Sequence, residues 1–189
     1  MITENDILLF DIITYSVHSF ALIKDINDEL LSGNKNPITQ YYLDWCKKRL
    51  PEGAPYPFNP GIIWMYTSAI LVNCKRWLNF LPKTKISMSD PKKWGLKTAE
   101  LRFPKDQDPS IKRTVRKMRN AISHSNIDLI TGSKEAPWDA YLEETKFIFR
   151  GKDDFELKIS VPNLARLNAA IYETIDEALK PHRKRLGFE

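Results

Sequence analysis

The densest chemistry in the chain lies in one stretch, Ile111-Lys-Arg-Thr-Val-Arg-Lys-Met-Arg-Asn-Ala-Ile-Ser-His-Ser-Asn126. Arg113, Arg116, Lys117 and Arg119 supply cations, Asn120 an amide, and His124 a group that gives or takes a proton near neutral pH. At ~100° per residue, Ile111, Val115, Met118 and Ile122 form one narrow apolar stripe. Arg113, Lys117, Asn120 and His124 fall in a line facing away from it. Arg119 stands at the border, where its stem can pack while its fork reaches outward. No acidic residue occurs between Asp108 and Asp128, so the cations lack carboxylate partners one helical turn away. Unneutralised arginines beside a histidine suit a phosphate, because a guanidinium binds two oxygens at once.

Other chemistries find little support. Cys46 and Cys74 are the only cysteines and lie far apart, so neither a disulfide framework nor a zinc ribbon is expected, and a reducing cytosol fits. No metal site and no cofactor is predicted. There is no glycine-rich phosphate loop and no legible Ser/His/Asp arrangement. His18, two turns after Asp11 on the first helix, reads as a satisfied core or interface histidine. His182, among Lys180, Arg183, Lys184 and Arg185, reads as part of a solvated basic tail. Trp45, Trp64, Trp77, Trp94 and Trp138 are scattered, which predicts core or interface roles rather than a base-stacking platform.

The elements that must position this segment read as helices. With 189 residues the chain is one domain in expectation, residues 1–189. Seven glycines argue against a turn-rich sandwich, and the balance of 29 Lys+Arg against 24 Asp+Glu leans mildly toward anionic partners. A long helix starts after Thr3 or Asn5 and runs to Leu31. Leu9, Ile13, Phe20, Ile23 and Leu30 mark one apolar face, and Ile12, Tyr15, Leu22 and Ile26 another. Such a helix packs on two sides, in a bundle or against a partner chain. A second helix opens at Pro37 and stops before a loop at 51–57. Asn59-Pro60 caps a third that runs to about Leu81. Residues 82–109 read as loop with a short turn near 94–101. Asp108-Pro109-Ser110 opens the basic helix, which ends near Ser123. Alternation on both sides of Gly151-Lys-Asp-Asp predicts a β-hairpin over 146–160. The last helix follows Pro162 and ends before Pro181. The sum is an all-α bundle of about five helices with one small hairpin. No secretory signal and no membrane-spanning stretch is legible, which predicts a cytoplasmic protein.

Arg119-Asn120-Ala-Ile-Ser-His124 resembles the signature of the HEPN superfamily: an arginine, a polar residue and, after three more positions, a histidine near a helix end. The hairpin and final helix look like its plasmid- and defence-associated branch. The specific likeness covers roughly 110–126; the remainder agrees as a pattern of helices. The resemblance implies a helical bundle, a homodimer and a metal-independent endoribonuclease, often a toxin with an antitoxin partner or an antiviral effector. Arg119, Asn120 and His124 would then be catalytic. Arg113, Arg116 and Lys117 would track the RNA backbone from a cleft shared by two protomers. Two other readings stay open: a catalytically inactive HEPN protein that binds RNA or protein, and a helical adaptor whose basic helix is only a solvated face.

Overall fold

The computed structural model describes residues 2–33, 36–49, 58–105, 107, 109–133 and 135–187. The side chains of Asn5, Leu9, Asp11, Ile12, Tyr15, Ser16, Arg49 and Cys74 are outside that description. The expected loop at 51–57, the role of Asp108 and the faces built on those side chains, including the Asp11–His18 relation, therefore lie outside the described residues.

Helix α1 (Glu4–Leu31) begins where Thr3 and Asp6 form a capping box. Asp6 N donates to Thr3 Oγ1 at 3.3 Å, and Thr3 N donates to Asp6 Oδ2 at 2.9 Å. Arg76 Nη1 donates to Asp6 Oδ1 at 2.5 Å, tying the start of α1 to a segment far along the chain. That bond, with those from Thr3, holds the Asp6 carboxyl at about 2, down from its ordinary 3.8. A depressed carboxylate stabilises the fold above its unfolded value and loses that effect as pH falls through its folded one. Stability should therefore be level near pH 5 and fall by about 1–2 kcal/mol between pH ~4 and ~2, a figure reduced for the solvent screening around Arg76. Asp6→Ala should lose a similar amount at neutral pH and flatten this limb, as urea unfolding at stepped pH would read.

Helices α2 (Pro37–Arg49) and α3 (Pro60–Asn73) follow. Asn59 caps α3 as the sequence predicts, its Oδ1 accepting from Gly61 N at 2.9 Å and Ile62 N at 3.2 Å. α3 stops short of Leu81. It tightens into two 3₁₀ turns, Cys74–Arg76 and Leu78–Phe80, and this change of pitch buries Trp77 edge-on to Phe10 at 5.4 Å. Helical periodicity alone cannot reveal such a break. After the short α4 (Pro91–Trp94) and strand β1 (Leu101–Arg102) comes α5 (Ile111–Ser123), capped by Ser110 as expected.

The hairpin stands where alternation put it, as β3 (Lys146–Arg150) and β4 (Glu156–Ser160). It belongs to a larger sheet, however. With β1 and β2 (Ile127–Ile130) it forms a four-stranded antiparallel sheet in the order β1-β4-β3-β2. A short helix α6 (Trp138–Glu144) was also unforeseen, being too brief to establish a period. The architecture is mostly helical with this small sheet added, which corrects the expectation of five helices and a lone hairpin.

The last helix, α7 (Val161–Leu186), passes through Pro181 instead of ending before it. Proline inside a helix costs ~3 kcal/mol, and contacts beyond it offset that cost. Arg183 reaches Asp176 at 3.2 Å and lies 5.5 Å from the Phe10 ring centre, while the His182 ring faces Phe80 at 6.4 Å. His182 is thus half-buried, and the solvated-tail reading is corrected.

The core lies between α1, α3, α5, α7 and the inner face of the sheet. Asn168 Nδ2 donates to Thr67 Oγ1 at 2.8 Å inside it, joining α7 to α3. Trp64 stacks on Phe147 at 5.7 Å and joins α3 to the sheet. Trp77 and Trp94 are buried, Trp64 and Trp138 half-buried and Trp45 exposed; His18 is exposed, which removes its core reading.

Candidate active site

α5 carries the site because its apolar stripe is pinned to the core. Ile111, Val115 and Met118 are buried, leaving the polar line outward. The helix ends in a Schellman motif: Asn126 N donates to Ala121 O at 2.9 Å and Ser125 N to Ile122 O at 3.0 Å. Ser125 takes the left-handed position with φ of 54°, unusual for a residue with a Cβ. His124 is the cap residue, its N–H donating to Asn120 O at 3.1 Å. The chain then enters β2, and Arg150 N donates to Asn126 O at 3.0 Å. The histidine is therefore held at a joint between helix and sheet.

The hairpin turn closes one side. Gly151 N donates to Phe155 O at 2.9 Å, and Asp153 on this turn meets Lys117 of α5. Between turn and helix lies a cleft of about 220 Å³ lined by Lys117, Asn120, His124, Asn126, Arg150 and Asp153. Lys117 is half-buried, and its bond to Asp153 holds that carboxyl below the ordinary carboxylate range, against the opposing effect of burial. Arg150 pairs with Asp128 and, at 3.1 Å, with Glu156. The Arg150 bond is also the main cause of a lowered Glu156 carboxyl.

Asn120 and His124 thus share one cleft, and Lys117 shares it too. Arg119 is half-buried on the flank of α5, where its Nη2 donates to Asn120 Oδ1 at 2.5 Å. Arg113 and Arg116 line a separate cleft at the opposite end of the helix. Sequence reasoning missed Asn126, Arg150, Lys152 and Asp153 at the site. The turn Gly151-Lys-Asp-Asp was legible as a turn, but nothing local says that it folds over α5. No group of three or more His, Cys, Asp or Glu residues is placed to hold a metal among the described residues.

A mostly helical chain with an Arg-polar-x3-His line closing its basic helix defines a class, and comparison with known families agrees. The family profile described as HEPN pEK499 p136 matches residues 11–182. The chain belongs to this plasmid-associated HEPN family. Neither a search of curated proteins nor a search of solved structures found a match. No helix among the described residues is long and apolar enough to cross a membrane.

Proposed function

We propose that residues 1–189 form one HEPN domain that cleaves single-stranded RNA without a metal, as a homodimer in the cytoplasm. The observation that carries this reading is the cleft in which Asn120 and His124 meet at the end of a basic helix, with Arg119 bonded to Asn120. The reaction forms a bond from the 2′-oxygen to phosphorus and breaks the bond from phosphorus to the 5′-oxygen. A base takes the 2′-proton, and an acid gives one to the departing 5′-oxygen. The products are a 2′,3′-cyclic phosphate and a 5′-hydroxyl. His124 moves one of these protons. Asn120 Oδ1 orients the Arg119 guanidinium, which stabilises charge on the phosphoryl oxygens.

Two proton transfers need two groups, and each chain brings one histidine to the cleft. The second is His124 of another copy. Apolar surface beside the cleft supports such pairing. Leu129 and Ile130 are exposed on edge strand β2, and an apolar hollow of about 380 Å³ is lined by Trp64, Ile122, Leu129 and Phe147. Sedimentation at tens of micromolar should return a dimer, and a strict monomer would count against the shared site. A toxin paired with an antitoxin protein, or an antiviral effector, is the biological role this activity would serve.

One observation favours the binding-only alternative: Lys117 and Arg150 already carry carboxylate partners, which partly neutralises the cleft. Incubating purified protein with single-stranded RNA in EDTA separates the two readings. Cleavage with a cyclic-phosphate end supports the nuclease, and intact RNA the binder.

A further inference from the structure

We propose that a second phosphate site lies at the opposite end of α5, binding the backbone of the same RNA strand several nucleotides from the bond cut at His124. This rests on the nuclease reading above. The site is a cleft of about 410 Å³ lined by Lys83, Ser110, Lys112, Arg113 and Arg116.

Its walls are fixed by the backbone. Ile111 N donates to Thr84 O and Lys112 N to Pro82 O, both at 3.1 Å, and Ile86 N donates to Pro109 O at 2.9 Å. Residues 82–84 are thereby laid along the first turn of α5, and Lys83, between the two acceptors, is held beside Arg113 and Arg116. The same bonds consume first-turn amides, and Ser110 Oγ accepts from Arg113 N at 3.4 Å. Attraction for an anion therefore comes from side-chain charge rather than from bare helix amides.

Part of that charge carries no ion pair among the described residues. Among the described residues no carboxylate pairs with Lys83, Lys112 or Arg116, and Lys112 Nζ donates to the neutral Asn79 Oδ1 at 2.8 Å. The His124 cleft differs, since its Lys117 and Arg150 are both paired. At ~1.5 Å per residue, Arg116 and Arg113 stand about 12 and 17 Å from His124 along the helix. A stacked strand advances about 3.4 Å per nucleotide, so the two sites are roughly four or five nucleotides apart, and fewer for an extended strand. The Lys117–Asp153 pair belongs to the wall of the His124 cleft and is already neutralised, which makes two separate sites rather than a continuous ladder. A strand too short to span both should bind through one site only.

The test uses 2′-O-methyl RNA, which cannot be cut, in two lengths of about three and about twelve nucleotides, with fluorescence anisotropy read across a salt series. The wild-type protein should bind the longer strand more tightly and with a steeper salt slope. Lys83→Ala with Lys112→Ala should weaken the longer strand about tenfold and flatten its slope by ~0.7 for each phosphate that is no longer neutralised. Lys24→Ala, a charge loss on α1, is the control. An unchanged slope in the double variant, or an equal change in the control, would overturn the proposal. Length-dependent binding of this pattern, with unmodified RNA left intact, would sink the nuclease reading and leave the second site standing.

Discussion

His124→Ala should lower RNA cleavage in EDTA by about 10²–10⁴-fold, the usual worth of a positioned acid or base. The ring stands at the exposed cap of α5, and its removal leaves the Schellman bonds intact, because these are all backbone. Far-ultraviolet circular dichroism of the variant should therefore match the wild type. Arg119→Ala should be at least as damaging, since it removes charge stabilisation at phosphorus and frees Asn120 Oδ1 from its 2.5 Å partner. Arg119→Lys should recover only part, because an ammonium lacks the planar fork. A DNA strand of the same sequence should survive, having no 2′-hydroxyl to attack. Cleavage that persists undiminished in His124→Ala would refute this chemistry. Loss of fold in both variants would make the motif structural.

Local sequence carried the candidate motif well because its determinants are local. Ser110 caps α5, the apolar stripe fixes which face is outward, and His124 follows the last turn as spacing requires. Gly151 and the flanking alternation located the hairpin for the same reason. What could not be read depends on contacts between distant segments. Asp153 looks like an ordinary turn residue until the hairpin folds over α5 and brings it to Lys117. Pro181 reads as a stop until Arg183 and His182 find Asp176 and Phe80. β2 has four residues with three exposed side chains, so no periodicity marks it; only pairing with β3 makes it a strand. These same long-range contacts shape the cleft, which is why the motif residues were legible and the residues around them were not.

The sheet's hold on the motif leads to the second large effect. Phe149→Ala should destabilise the fold by about 3–5 kcal/mol, a large share of the ~5–15 kcal/mol that holds a typical domain. Phe149 is wholly buried in β3, opposite Ile127 of β2 and Leu157 of β4, and its ring lies 6.4 Å from that of Trp64 on α3. Removing it leaves a cavity where strand, sheet neighbours and helix meet. The damage should reach the site, because the next residue, Arg150, anchors Asn126 two positions after His124. RNA cleavage should thus fall at temperatures where helical circular dichroism is still largely retained. Lys158→Ala tests the opposite side of the same sheet. Its ammonium is exposed and its ion pair with Glu156 is 3.5 Å long, so the loss should stay within ~0.5 kcal/mol. Urea midpoints of the two variants give the comparison. A Phe149→Ala protein within about 1 kcal/mol of the wild type would mean that the sheet does not support the histidine through this ring.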